Sequence, residues 1–66
     1  MRIWFNGEPR ETADGITVAE FLAQLNLSPQ RVAVEINQEI VPRSLHGARQ
    51  LSNDDHLEVV TLVGGG

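Results

Sequence analysis

Polar and apolar positions alternate from the first residue. Met1, Ile3 and Phe5 fall on one face and Arg2 and Trp4 on the other, which predicts a strand. Asn6-Gly7 follows. That dipeptide is a strong hairpin signal, because both central residues of a type I′ turn need positive φ. The return strand, Glu8 to Ala13, is polar and is expected at a sheet edge, where Pro9 costs no ladder hydrogen bond. Asp14-Gly15 closes the segment.

At Ile16 the period changes from two to that of a helix. Thr17 can cap the amide of Glu20 while Glu20 reaches back to the amide of Thr17, a capping box, and Ile16 and Phe21 are spaced for the accompanying hydrophobic staple. Val18, Phe21, Leu22 and Leu25 form the apolar stripe. The stretch Asn26 to Pro29 ends the helix, since Pro29 cannot continue it.

Alternation resumes with Val32, Val34 and Ile36 against Ala33, Glu35 and Asn37. Asn37-Gln38 reads as a tight turn into a short strand, Glu39-Ile40-Val41, stopped by Pro42. Ser44 to Gln50 has no period and is expected to be a loop with a helical turn, with Leu45 and Leu51 plugging the end of the core. After a turn at Ser52-Asn53-Asp54-Asp55, His56 to Val63 forms the last strand. There Leu57, Val59 and Thr61 face one way and Glu58, Val60 and Leu62 the other. One amphipathic helix covers one face of one sheet, so the expected fold is α+β in two layers, with a mixed sheet of four to five strands packed on one face by a single helix.

Composition narrows the chemistry. The 66 residues suit one small domain and include no cysteine, which excludes disulfides, thiolate metal sites and a cysteine nucleophile. All five basic residues are arginines, scattered at 2, 10, 31, 43 and 49, against nine acids. A net charge of −4 without a basic stripe argues against nucleic acid. Without lysine, no side-chain amine is present to accept an isopeptide bond from a second copy. Apolar runs too short for a bilayer, and no leader ahead of the first strand, lead us to expect a soluble cytoplasmic protein. His46 and His56 lack a third ligand and are expected to be solvated; Asp54-Asp55 is expected to be turn chemistry, and no serine has a histidine at motif spacing. No catalytic residue and no metal are expected.

What is left is Val63-Gly64-Gly65-Gly66, where a strand pattern runs into glycines. Such an arm is expected to be flexible and to carry one bare carboxylate; a frayed end or an expression scar would look the same. Three segments decide how it is read: Ile36-Asn37-Gln38-Glu39-Ile40-Val41-Pro42-Arg43, then Asn53-Asp54-Asp55, then Val-Gly-Gly-Gly. In that order, in a chain this short, the sequence resembles the ubiquitin-like (β-grasp) sulfur carriers, most closely the ThiS family of thiamine biosynthesis, over its whole length. Glycine stands third from the end, where some members of the family carry alanine.

The resemblance implies a β-grasp domain over residues 1–63 and a flexible glycine tail over 64–66, with the first and last strands parallel at the centre of the sheet. It implies that an E1-like adenylating enzyme of the ThiF type uses ATP to adenylate the Gly66 carboxylate. A persulfide donor then leaves a thiocarboxylate, whose sulfur passes to a thiazole synthase of the ThiG type. On this reading no cofactor is bound, the free chain is a monomer, and the protein is a carried substrate rather than an enzyme. Gly64 and Gly65, lacking Cβ atoms, would thread a narrow channel, three extended residues reaching roughly 10 Å. If the first and last strands are neighbours, Trp4, Val60 and Leu62 share the face away from the helix as a docking patch; otherwise Trp4 is packed, or covered by the loop after Pro42. Delivery to molybdopterin or another acceptor, a ubiquitin-like modifier of other proteins, and an interaction module with an incidental tail remain as alternatives.

Overall fold

The structure is a computed structural model and describes residues 1–62. Its elements are β1 (Arg2–Phe5), β2 (Glu8–Glu11), α1 (Val18–Gln24), β3 (Val32–Ile36), β4 (Glu39–Ile40) and β5 (His56–Thr61), with 3-10 turns at Pro29–Arg31 and Arg43–Leu45. The strands form one sheet in the order β2-β1-β5-β3-β4. β5 runs parallel to β1 and antiparallel to β3, so the first and last strands are neighbours, with β5 at the centre. This mixed five-stranded sheet with one helix is the expected α+β, β-grasp architecture.

Both hairpins form at the turns read from the sequence, each through two residues at positive φ. Asn6 and Gly7 stand at φ 49° and 85°, Asn37 and Gln38 at 52° and 71°. β2 is exposed throughout and lies on one edge, with Pro9 opposite Trp4.

Every amide of the first helical turn is satisfied, which is why so short a helix holds. The amides of Val18 and Ala19 donate to the carbonyls of Arg49 and His46, both at 2.9 Å. Glu20 N donates to Thr17 Oγ1 at 3.1 Å, and Thr17 N donates to Glu20 Oε1 at 2.9 Å, completing the capping box. The stop differs in detail from the sequence reading. It is made by Asn26 in the left-handed region (φ 58°), with Asn26 N on the Ala23 carbonyl and Leu27 N on the Leu22 carbonyl. That is a Schellman end built on asparagine. Pro29 opens the 3-10 turn that follows.

The core lies between the helix and the inner sheet face. Phe21, Ile3, Leu22, Leu57, Val18 and Val34 are fully buried, each worth about 1.5–3 kcal/mol of transfer free energy for the larger side chains. Phe5 meets Phe21 edge-on at 5.4 Å, joining β1 to α1. Ile16 is buried beside them as the staple requires.

Two expectations fail at the end of the core. Leu51 is buried, but Leu45 is 51% exposed. His46, expected in solvent, is only 4% exposed and fills that place instead. The cause is the loop's anchoring to α1: the His46 carbonyl accepts from Ala19, and the Arg43–Leu45 turn directs Leu45 outward and His46 inward. Its Nε2 lies 3.1 Å from the Val41 carbonyl, so Nε2 carries the proton; Nδ1 is buried without a partner among the described residues. Among the described residues no helix is long and apolar enough to cross a membrane.

Candidate functional site

The roles expected for Gly64, Gly65 and Gly66, and the boundary at residue 63, lie outside the described residues. What the structure places is the strand that leads to them. β5 is held on one side along its whole length by β3, from Ile36 opposite Leu57 to Val32 opposite Thr61, and Leu62 N still donates to the Arg31 carbonyl at 2.7 Å.

On the other side β1 ends at Phe5, and the turn takes over. Asn6 N donates to the Leu57 carbonyl at 2.8 Å. Asn6 Oδ1 accepts from Val59 N at 2.9 Å while its Nδ2 donates to the Val59 carbonyl at 3.2 Å. A side chain thus stands in for one further residue of strand.

The start of β5 is fixed by a second asparagine. Asn37 N donates to the His56 carbonyl, and Asn37 Oδ1 accepts from His56 N at 3.0 Å. Asn37 Nδ2 in turn donates to Asp55 Oδ1 at 3.0 Å, and Asp55 Oδ2 accepts from Ser52 N at 2.8 Å and lies 3.7 Å from Arg49. Asp55 is 7% exposed, so the carboxylate read as ordinary turn chemistry is the buried hub joining the turn, β3 and the loop.

Of the residues expected to form a docking patch, Val60 and Leu62 are 57% and 56% exposed on the sheet face away from the helix. Trp4 is on the same face but half-buried. Its ring stacks on His56 at 5.7 Å and 14°, and the Arg2 guanidinium sits 5.7 Å from it on β1. Its cover is therefore His56 and Arg2, not the loop after Pro42, whose sheet neighbour β4 lies at the far edge. Trp4 is opposite His56, and Val60 lies four residues further along β5, roughly 13 Å away at strand rise. His56 and Glu58 stand between, so the three do not make one continuous apolar patch.

The sequence reading missed two features of this face. Ile40, opposite Glu35, is 75% exposed. Glu35 and Glu58 are directly opposite each other across β3 and β5. The alternation in β3 and β5 showed which way each glutamate points, but only the register could bring them together.

Known proteins place this fold. The chain matches the ThiS family over residues 3–66. It is 35% identical to the sulfur carrier protein ThiS of Escherichia coli, over all of both chains. It is 44% identical over 66 residues to a thiazole synthase of Magnetococcus marinus, covering all of this chain and 20% of that protein; the chain thus spans about one fifth of the thiazole synthase that it matches. The crystal structure of a thiamine biosynthesis protein (ThiS) from Geobacter metallireducens superposes with a TM-score of 0.86 at 30% identity, covering all of both chains. Family match, full-length relatives and a superposable β-grasp agree: the chain belongs to the ThiS family.

Proposed function

We propose that this protein is a cytoplasmic sulfur carrier of thiamine biosynthesis, acting through its C-terminal glycine. The observation that carries the reading is the family match, which extends through the glycines to residue 66. A terminal carboxylate, with a pKa near 3.3–3.7 in unperturbed peptides, is ionised at neutral pH and a poor electrophile, so it needs activation. An E1-like enzyme attaches AMP from ATP to the Gly66 carboxylate and releases pyrophosphate. A persulfide sulfur then displaces AMP; reduction of the resulting acyl disulfide by a thiol leaves the thiocarboxylate on Gly66 and the donor in a disulfide. The thiocarboxylate sulfur is the nucleophile delivered during thiazole assembly. The protein supplies no catalytic group to these steps; it supplies an acyl terminus without side chains, at the end of a strand held by β3, Asn6 and Asn37.

The named relatives support the second partner. A sequence like this one forms a fifth of a thiazole synthase in Magnetococcus marinus, and we propose a separate thiazole synthase as the acceptor here. On this reading Val60 and Leu62, with Trp4 at the other end of the face, belong to the surface the partner enzymes hold.

Intact-mass spectrometry of protein purified from its own host under thiamine starvation tests the reading. A species heavier by the difference between sulfur and oxygen, located on Gly66, is expected. Finding only the carboxylate, or finding Gly66 amide-linked to other proteins, would refute it and in the second case favour a modifier.

A further inference from the structure

The outer sheet face carries an arrangement that the fold itself does not explain. Glu35 and Glu58 occupy directly opposed positions on β3 and β5, and like charges so placed destabilise a sheet. The register supplies their same-face neighbours: Ala33 and Asn37 along β3, His56 and Val60 along β5, Ile40 on β4. None is an arginine, and the chain has no lysine.

The arginines are engaged or placed elsewhere. Arg49 lies against Asp55, Arg2 is near Trp4 and Arg10 near Phe5. Arg43 is in the 3-10 turn, and Arg31 is beyond the start of β3, four residues from Glu35. Asp55 shows what this fold does with a carboxylate it uses internally: it buries it and gives it hydrogen-bond donors. The pair on the outer face receives no such partner among the described residues. Exposed apolar side chains stand on both sides of it, Ile40 across the sheet and Val60 and Leu62 along β5.

We propose that this band is the docking surface for thiazole synthase, and that Glu35 and Glu58 together receive an arginine or lysine of that enzyme while Ile40, Val60 and Leu62 pack against apolar residues around it. The assignment rests on the carrier reading above. Charge complementarity selects the chemistry of the partner face, since opposed carboxylates are relieved by a cation and aggravated by anything acidic. It also argues against a second copy of this chain. A two-fold contact on this face would bring four carboxylates together on a protein that already carries a net charge of −4. Thiazole synthase is the partner chosen because a sequence like this one occurs as one fifth of such an enzyme.

The test compares Glu35→Gln, Glu58→Gln, the double glutamine variant and the double arginine variant with the wild type. Affinity for the thiazole synthase of the same organism is measured over a range of salt, beside thermal unfolding of the free carrier at low salt. The double glutamine variant is expected to bind about tenfold more weakly and with a flatter salt dependence, as loss of complementary charge does. It should melt no lower than wild type, because a like-charge pair has been removed. The double arginine variant should lose binding. Unchanged affinity and salt dependence in the double glutamine variant would overturn the proposal, as would a wild type that self-associates through this face. The terminal mass of carrier from its own host is recorded alongside. A carrier without thiocarboxylate removes the underlying function; one that has it, yet binds the synthase without regard to Glu35 and Glu58, removes only this surface.

Discussion

Asn6 grips the main chain of Val59 by both of its polar groups, its Oδ1 accepting from the amide at 2.9 Å and its Nδ2 donating to the carbonyl at 3.2 Å. The residue that makes the first turn, at φ 49°, therefore also secures the last strand. Asn6→Gly keeps the turn and removes only the two bonds; at about 0.5–1.5 kcal/mol net each, the loss should be roughly 1–3 kcal/mol. Asn6→Ala should cost more, because alanine adds left-handed strain of about 1–2 kcal/mol. Urea midpoints order the variants, and hydrogen exchange should show the Val59 amide deprotected in both. An Asn6→Gly protein as stable as wild type would show that these bonds merely replace water.

His46 fills the end of the core while using one of its two ring nitrogens. Replacing it with alanine leaves a cavity and strands the Val41 carbonyl, which should cost roughly 2–4 kcal/mol. His46→Leu restores the volume and loses only the hydrogen bond, so it should recover a large part of that loss. If leucine proved no better than alanine, the ring's role would be polar rather than space-filling. Denaturant titration of both variants decides between them.

Asp55 is the opposite case, a buried carboxylate whose Oδ1 accepts from Asn37 Nδ2 and whose Oδ2 accepts from Ser52 N, with Arg49 3.7 Å away. Charge-assisted bonds are worth about 1.5–3 kcal/mol each, so Asp55→Ala should be among the most damaging single changes outside the apolar core. Asp55→Asn should also destabilise by more than about 1 kcal/mol, because its amide can point an oxygen at only one of the two donors. Equal stability of Asp55→Asn and wild type would mean that the hub tolerates a donor at either oxygen.

The glycine tail gives a prediction that separates folding from chemistry. Gly65→Val adds a β-branched side chain to a segment proposed to thread a channel, where only a bare backbone fits. Its unfolding midpoint should match wild type, and transfer of AMP from the adenylating enzyme should be lost. Full adenylation of Gly65→Val would sink the threading role while leaving the family assignment standing.

How much of this could be read from the chain follows from how local each signal is. The capping box, both hairpins and the strand faces depend on residues within a few positions of each other, and the structure has them where the pattern put them. Leu45 and His46 were exchanged because a loop without a period gives no facing; the carbonyl bonds to Val18 and Ala19, far away in sequence, set it. Asp55 looked like a turn acid for the same reason, since its partner Asn37 is distant in the chain and Arg49 lies in the loop without a period. Trp4 was placed on the correct face, but its cover, His56, became visible only once β1 and β5 were aligned. The opposed glutamates are purely a matter of register.

The capping box also carries a pH dependence whose direction is fixed. Hydrogen bonds from the Thr17 amide, and then from its hydroxyl, hold the Glu20 carboxyl below its ordinary 4.5, desolvation opposing them. A folded-state value lower than the unfolded one means that the stabilisation is fully present above the unfolded value and is lost as pH falls through the folded one. The contribution should therefore be complete at pH 6 and fade below about pH 4.5, the window that the lowered carboxyl defines. Other carboxylates titrate in the same range, so the informative quantity is a difference. Glu20→Gln can still accept from the Thr17 amide but cannot lose a charge, so the stability gap between wild type and Glu20→Gln should shrink from pH 6 to pH 3. A gap that stays constant over that range would show that the ionised carboxylate adds nothing beyond the neutral amide's acceptor.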